Sequence, residues 1–360
     1  MRCVIAGGGT GGHLFPGIAI AEAFREKEAG NEVLFIGTER GIEMRVLTGG
    51  RFPLKTIQVM PFKGRSFWAK MKALSTIPSA ISEALSILKD FRPQIVLGVG
   101  GYASGPALLA AYLLGIHRAI HEQNLVPGMT NRILKWFSQR VFVSFEETRS
   151  YFPERKTKVT GNPIRKEFFS CSWRHEKREG FTVLIFGGSA GAHRINEAMM
   201  EALGSLEEAK RSLRFIHQTG REDLEFVLKG YGEKGFNAVV KSFFEDMVAQ
   251  YQASDLVICR AGASTIAEIA VCGKGAILIP YPSAAHQHQL INAQRLVALG
   301  AARMIEDKDL SGHSLGQAIL QLNFHQEELR RMEKAMEQVA RPKAAQEIVD
   351  HCYALVGAGE

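Results

Sequence analysis

The feature that most constrains this chain is an internal echo. A shift of 180 residues lays Val4-Ile5-Ala6-Gly7-Gly8-Gly9-Thr10-Gly11-Gly12-His13 on Leu184-Ile185-Phe186-Gly187-Gly188-Ser189-Ala190-Gly191-Ala192-His193. Each copy reads as an apolar strand, a glycine turn and a helix start. A second pair, Val96-Leu97-Gly98-Val99-Gly100-Gly101 and Val257-Ile258-Cys259-Arg260-Ala261-Gly262, matches at a shift of 161. Two halves built alike are expected, and 360 residues at about 150 per domain leave room for both.

Apolar runs at 4–6, 33–36, 95–97, 140–143, 183–186, 215–218, 256–259 and 276–279 alternate with helical stretches. This alternation predicts an α/β fold with parallel sheets and crossover helices. Glycine turns at the carboxyl ends of parallel strands are where such sheets bind ligands, and two such domains facing each other make a cleft. The boundary is expected near Gly161-Asn162-Pro163, ahead of the polar stretch 172–180.

A content of 46% apolar and 22% charged residues supports buried cores and excludes a disordered or fibrous chain. The net charge of +7 points to an anionic partner. The five cysteines, Cys3, Cys171, Cys259, Cys272 and Cys352, form no CxxC pair and no ligand spacing with histidine, which argues against structural zinc and disulfides. Met1-Arg2 runs directly into an apolar strand with no signal-peptide pattern, so a cytoplasmic chain is expected. The charge-free stretch 95–116 has the length of a membrane span, about 20 residues. Gly98, Gly100, Gly101, Gly105 and Pro106 interrupt it and assign it instead to strand, turn and helix start.

The first loop satisfies the dinucleotide fingerprint G-x-G-x-x-G, yet the acid expected about 20 residues on is not at the next strand end, where Glu39 comes one step late. No Gly-Lys-Ser/Thr follows either loop, which excludes a P-loop. Backbone cradles at helix N-termini remain, favouring an anion by about 0.3–1 kcal/mol per contact. Tight packing of helix on strand is the alternative use of such glycines. His13 follows the loop at a helix start that Pro16 helps to define. The helix N-terminus would lower its pKa and leave a neutral imidazole able to take a proton, although the position equally suits a capping histidine.

In the second half, small residues open the turn Cys259-Arg260-Ala261-Gly262-Ala263-Ser264-Thr265-Ile266-Ala267-Glu268. Glu268 lies one helical turn beyond Thr265, placed either to hold a ribose through its two hydroxyls or to sit solvated near the helix N-terminus. His286-Gln287-His288-Gln289, followed by Asn292, has no metal-pair spacing and reads as hydrogen bonding to a polyhydroxyl ligand.

Taken together, these residues resemble the MurG-type glycosyltransferases, the undecaprenyldiphospho-muramoylpentapeptide β-N-acetylglucosaminyltransferases of bacterial cell-wall synthesis, over nearly the whole chain. The resemblance rests on Gly8-Gly9-Thr10-Gly11-Gly12-His13-x-x-Pro16, Gly100-Gly101-Tyr102-x-Ser104-Gly105-Pro106, His121-Glu122-Gln123-Asn124, Thr160-Gly161-Asn162-Pro163-Ile164-Arg165, Gly187-Gly188-Ser189-x-Gly191-Ala192 and Arg260-x-Gly262-Ala263-x-Thr265-x-x-Glu268. It implies a GT-B fold of two Rossmann-like domains: residues 1–163 for the lipid-linked acceptor, joined by a final helix at about 340–357, and residues 164–339 for UDP-N-acetylglucosamine.

It further implies inverting transfer to the C4 hydroxyl of lipid-linked N-acetylmuramic acid, with His13 as the base and Glu122 as the second choice. The implied donor contacts are Thr10, Gly11, Gly12, Asn124, Arg165, Ser189, Gly191, Phe244 through its backbone to uracil, Met247, Ala263, Ser264, Thr265, Glu268 on ribose, His288, and Gln289 on the sugar. Acceptor contacts fall to Gly9, His13, Gly101, Tyr102 and Ser104. Other GT-B enzymes such as a UDP-N-acetylglucosamine 2-epimerase, and a UDP-sugar-binding module without turnover, would share the donor half.

The only D-x-D pattern, Asp307-Lys308-Asp309, lies in a polar turn with no supporting ligands, so no metal cofactor is expected. Lys63, Arg65, Lys70 and Lys72, interleaved with Phe67, Trp68, Met71, Leu74, Ile77, Ile81 and Leu85, suit an anionic membrane surface. Arg132, Lys135, Trp136 and Arg140 would extend that patch; the alternative is that the apolar stripe packs inward. The expected partners are the donor, the lipid-linked muramoylpentapeptide, the cytoplasmic membrane face, and cell-wall synthesis and division complexes. Nucleic acid is not expected, because no recognition motif accompanies the charge.

Overall fold

The computed structural model describes residues 1–39, 42–47, 52–59, 75–171, 180–188, 191–284 and 287–358. The chain divides into two units, Met1–Arg165 with Arg341–Glu360, and Lys166–Ala340. Unit 1 begins β1 (Arg2–Ala6), α1 (Gly11–Lys27), β2 (Glu32–Gly37), α2 (Ile42–Leu47), β3 (Leu54–Thr56) and α3 (Ile77–Phe91). It continues β4 (Ile95–Gly98), α4 (Ser104–Leu113), β5 (His117–Glu122), α5 (Met129–Leu134), β6 (Arg140–Val143) and β7 (Thr157–Val159). Unit 2 runs β8 (Phe181–Phe186), α6 (His193–Ala202), β9 (Leu213–Gln218), α7 (Leu224–Lys234), β10 (Asn237–Lys241), α8 (Met247–Ala253) and β11 (Leu256–Cys259). It closes with α9 (Ala263–Cys272), β12 (Gly275–Leu278), α10 (His288–Ala298), β13 (Ala302–Met304), α11 (Gly312–Phe324) and α12 (Gln326–Val339). The last helix, α13 (Ala344–Gly357), returns to unit 1.

Both sheets are parallel. Unit 1 has seven strands in the order β3-β2-β1-β4-β5-β6-β7, and unit 2 has six in the order β10-β9-β8-β11-β12-β13. Val4 lies opposite Leu34 on one side and Val96 on the other, and Val183 opposite Phe215 and Leu256. Strand order therefore reverses between β1 and β4 and between β8 and β11, the place where open parallel sheets form a ligand crevice. The four glycine turns read from the sequence follow those four strands.

The central strands β1, β4, β8 and β11 are apolar along most of their length because both faces are covered. Cys3 and Ile5 pack with Ile18 and Phe24 of α1 and with Ile348, Val349 and Cys352 of α13. Val4 and Ala6 turn the other way, onto Ala84 and Leu88 of α3 and Ala107 and Leu108 of α4. In unit 2, Val183, Ile185 and Phe215 pack against Ile195 and Met199 of α6 and Ile319 and Leu322 of α11. All five cysteines are free thiols and buried.

Two sequence expectations meet the structure here. The charge-free stretch folds as β4, a turn and α4, and among the described residues no helix is long and apolar enough to cross a membrane. Pro16, expected to help define the start of α1, instead lies inside the helix, which begins at Gly11. Its nitrogen cannot donate to the Gly12 carbonyl, a loss confined to one bond near the helix start.

Candidate functional site

The glycines of unit 1 have two different uses. A Cβ at Gly7 would lie 2.3 Å from the Gly100 carbonyl oxygen, and one at Gly101 2.4 Å from that of Gly8. The Gly8 N–H also donates to the Gly100 carbonyl at 3.3 Å. The turns after β1 and β4 thus lie backbone on backbone, and these glycines serve that approach. Gly9 is different: its φ is +82° and nothing lies within 4 Å of a Cβ built there.

The cradle expected at this first loop is partly occupied by the protein itself. Glu43 of α2, 1% exposed, accepts the Gly9 N–H through Oε2 at 2.8 Å. Its Oε1 accepts the Thr38 N–H at 2.8 Å and the Thr38 hydroxyl at 2.9 Å. The N–H groups of Gly8 and Gly9 are therefore engaged within the protein. Nothing in the spacing of Glu43 marked it in the sequence, since its role arises from the register of β2 beside β1.

His13 sits in the first turn of α1, its Nδ1 3.1 Å from the Thr10 hydroxyl. Its ring edge faces Gly100, where a Cβ would come within 2.9 Å of Nε2. When Nδ1–H donates to the Thr10 hydroxyl, Nε2 carries the lone pair that a base needs. Tyr102 is half-buried beside this turn. Ser104, expected to touch the acceptor, does not: it is fully buried, accepts the Gly100 N–H at 3.0 Å and donates to the Ala6 carbonyl at 2.6 Å. Its hydroxyl stitches the second turn to β1 and is out of reach of a ligand.

Glu122, at the end of β5, is 2% exposed. It accepts the Asn124 N–H at 3.0 Å and side chain at 3.3 Å, the Gly128 N–H at 3.1 Å and the Asn131 side chain at 2.9 Å. Burial raises its pKa, while these bonds, led by the Asn124 N–H, act to lower it. With four donors on a buried carboxylate, Glu122 holds the turn that carries Asn124, which corrects its placement as an alternative base. His121 beside it is buried and donates from Nε2 to the Gly161 carbonyl at 3.1 Å, and burial pulls its pKa down to about 4. Arg165 lies over the Phe15 ring at 5.0 Å.

In unit 2 the same division recurs. A Cβ at Gly191 would lie 2.1 Å from the Thr219 carbonyl oxygen, whereas the one at Gly188 meets nothing within 4 Å. Ser189 lies outside the described residues. The Gly191 N–H donates to the Gly188 carbonyl at 3.1 Å, which removes it from the expected anion cradle. Helix α6 starts without a side-chain cap, as does α9, whose cap position is Gly262. Ala263, Ser264 and Thr265 form the first turn of α9, and Glu268 follows one turn later, its Oε2 accepting the Tyr251 hydroxyl at 3.3 Å. Burial first, and Glu268 next, hold Tyr251 well above its usual pKa.

Phe244 is 4% exposed and its N–H donates to Gln218 Oε1 at 2.8 Å, so of the backbone contact expected there only the carbonyl remains. Met247 opens α8 after the cap Asp246. Arg260 donates to the carbonyls of Ile279 and Pro280, each at 3.2 Å, and to Asp307 at 2.6 Å. Gln287 has φ +52°, a left-handed conformation unusual for a side-chain-bearing residue, and precedes His288 and Gln289 at the start of α10. Gln289 Oε1 accepts the Tyr281 N–H at 2.9 Å, and Asn292 is fully buried. Among the described residues no group of His, Cys, Asp and Glu is arranged to hold a metal ion.

Lys63, Arg65, Phe67, Trp68, Lys70 and Lys72 lie outside the described residues. Ile81 and Leu85, read as part of their apolar stripe, pack against the unit 1 core. Trp136 is 70% exposed with Lys135 Nζ 5.3 Å from its ring, and Leu113, Met129 and Ile133 are also exposed.

The glycosyltransferase family 28 N-terminal domain matches residues 3–143 and its C-terminal domain residues 182–348. A UDP-N-acetylglucosamine–N-acetylmuramyl-(pentapeptide) pyrophosphoryl-undecaprenol N-acetylglucosamine transferase of Myxococcus xanthus is 50% identical over 357 residues, 99% of this chain and 93% of that protein. Its namesake in Citrifermentans bemidjiense is 50% identical over 97% of this chain and 98% of its own length. The crystal structure of Acinetobacter baumannii MurG superimposes with a TM-score of 0.79 at 33% identity, covering 97% of this chain and 98% of that one. A UDP-N-acetylglucosamine 2-epimerase from Neisseria meningitidis shares the fold, with a TM-score of 0.69 at 16% identity over 98% of this chain and 100% of its own. Two parallel-sheet units in one chain, each with glycine turns at the point where its strand order reverses, form the GT-B architecture, and the chain belongs to glycosyltransferase family 28, within the group of the MurG-type N-acetylglucosamine transferases.

Proposed function

We propose that the chain transfers N-acetylglucosamine from UDP-N-acetylglucosamine to the C4 hydroxyl of undecaprenyl-diphospho-N-acetylmuramoylpentapeptide, a step of peptidoglycan synthesis. The observation that carries this reading is the start of α9, where a helix N-terminus without a side-chain cap is followed one turn later by Glu268. That pairing suits a diphosphate next to a ribose. The names of relatives at 50% identity over nearly the full length support the same substrates.

In this reading the acceptor hydroxyl attacks C1 of the sugar, the bond from C1 to the UDP oxygen breaks, and the product is β-linked with inversion. His13 Nε2 takes the hydroxyl proton, help typically worth about 10²- to 10⁴-fold. Gly9, Gly101 and Tyr102 receive the acceptor. The Phe244 carbonyl and Met247 meet uracil, Glu268 the ribose, and Ala263, Ser264, Thr265 and Ser189 the diphosphate. Gln289 and His288 meet the sugar, and Thr10, Gly11, Gly12, Asn124 and Arg165 complete the donor contacts. Preorganised donors of this kind stabilise developing charge by about 2.7–4 kcal/mol each. In this reading the charge on the departing UDP falls to these helix starts and turnover needs no metal; Asp307 of the D-x-D pattern is ion-paired with Arg260 at 2.6 Å.

The chain works at the cytoplasmic face of the membrane as a peripheral protein, a reading supported by the exposed Met129, Ile133 and Trp136, which alternate in sequence with Arg132 and Lys135. Cell-wall synthesis and division complexes are its proposed partners. The test is UDP release from UDP-N-acetylglucosamine with and without a short-chain lipid-diphospho-muramoylpentapeptide, in EDTA. Release only with that acceptor is the expected result. Release without acceptor would indicate a hydrolase or epimerase, and no release even after Mg²⁺ is restored would remove the transferase reading.

A further inference from the structure

Gln218 ends β9 and is 3% exposed. Both ends of its amide are engaged: Nε2 donates to the Gly188 carbonyl at 3.0 Å, and Oε1 accepts the Phe244 N–H at 2.8 Å. The amide orientation is fixed by these partners, since a carbonyl only accepts and a backbone N–H only donates. One side chain thus ties together the turn after β8, the end of β9 and the segment between β10 and α8.

The surroundings leave this tie little freedom. The next residue, Thr219, presses its carbonyl against Gly191, and that carbonyl accepts the Asn196 side chain at 2.9 Å. Asn196 Oδ1 in turn lies 3.0 Å from Nε2 of the buried His217. With its N–H taken by Gln218, Phe244 presents a carbonyl that has no hydrogen-bond partner among the described residues. An acceptor fixed in this way favours a base edge that carries an N–H. Uracil offers N3–H, whereas cytosine has a lone pair at the same atom.

We infer that Gln218 is a positioning residue for nucleobase selection: by holding the Phe244 N–H against the turn after β8, it makes the Phe244 carbonyl the group that reads the base. The inference rests on the proposed donor site, and it adds a residue that touches neither substrate.

The test uses the full chain, with UDP and CDP binding measured by calorimetry and steady-state kinetics measured with both substrates. If the unaltered chain does not bind UDP, the donor reading itself fails and takes the inference with it. If it does, Gln218→Met, which fills the space but leaves the buried Phe244 N–H unpaired, should weaken UDP binding about 10- to 100-fold. The preference for UDP over CDP should fall toward unity, while kcat and the acceptor KM stay unchanged. Gln218→Glu gives an independent readout. Its carboxylate would oppose the Gly188 carbonyl at neutral pH, but once protonated it can donate there and still accept from Phe244. UDP affinity of Gln218→Glu should therefore recover on acidification, a recovery absent from the unaltered chain, and this arm decides the matter if Gln218→Met does not fold. Unchanged UDP affinity and base preference in a folded variant would overturn the inference. So would a parallel loss of UDP binding, CDP binding, kcat and acceptor KM, which marks general damage.

Discussion

Gly9 and Gly101 make a matched pair for substitution. Their φ angles are +82° and +83°, so alanine meets the same left-handed penalty at either, about 1–2 kcal/mol. They differ in the space around them. At Gly101 the new Cβ would lie 2.4 Å from the Gly8 carbonyl oxygen, a backbone atom that cannot rotate aside, whereas at Gly9 it meets nothing within 4 Å. Overpacking adds about 1–3 kcal/mol. Gly101→Ala should therefore cost about 2–5 kcal/mol and Gly9→Ala about 1–2 kcal/mol. Calorimetric unfolding of the two variants beside the unaltered chain reads the difference. Equal losses would refute the view that the Gly101 position is set by its contact with the first turn. The pair also separates packing from ligand approach: Gly9→Ala should stay folded and raise the acceptor KM, and an unchanged KM would remove Gly9 from the acceptor site.

His13→Ala should lower kcat by about 10²- to 10⁴-fold with the donor KM retained, and loss of donor binding would instead make the residue structural. Glu268→Ala should raise the donor KM, because a ribose contact persists from ground to transition state; a pure fall in kcat contradicts the assignment. Burial pulls the pKa of His217 down to about 3 and that of His121 to about 4, below the usual value of about 6.5. The unfolded chain then binds more protons, so the stability these neutral histidines contribute is complete above about pH 6.5 and falls as the pH drops toward their folded values. Urea midpoints between neutral and mildly acid pH should fall less steeply in His217→Gln, and equal slopes would count against the argument. Charge reversal at Lys70 and Lys72, or Trp136→Ala, should weaken binding to anionic vesicles at low salt; unchanged binding would remove the membrane patch.

The central strands were legible because burial on both faces makes them continuous apolar runs, as at Val4 to Ala6 and in Leu256–Cys259. β5, with the sequence His-Arg-Ala-Ile-His-Glu, was not, although it is buried toward its end. Its polar side chains bond to neighbouring turns, and periodicity does not register partners that lie far away in sequence. The short strands Leu54–Thr56, Thr157–Val159 and Ala302–Met304 and the half-exposed Asn237–Lys241 lie toward the sheet margins and carry weak patterns. At the site, the glycine turns could be read as motifs, but the task of each glycine could not. Gly9 and Gly101 look alike in sequence, and only the approach of the second turn tells them apart. Glu43 and Gln218 escaped for the same reason: their importance lies in bonds to backbone groups that the fold brings to them.

Helix α13 packs Ile348, Val349 and Cys352 onto the sheet face shared with α1. The consequence concerns timing on the ribosome. Lys166–Ala340 is one contiguous stretch and can complete its core as soon as it has emerged, whereas the unit synthesised first must wait for α13 before one face of its sheet is fully covered. The half that leaves the exit tunnel second is thus able to finish folding first, and the apolar face of β1 and α1 stays open to chaperones, or to aggregation, until α13 has followed it.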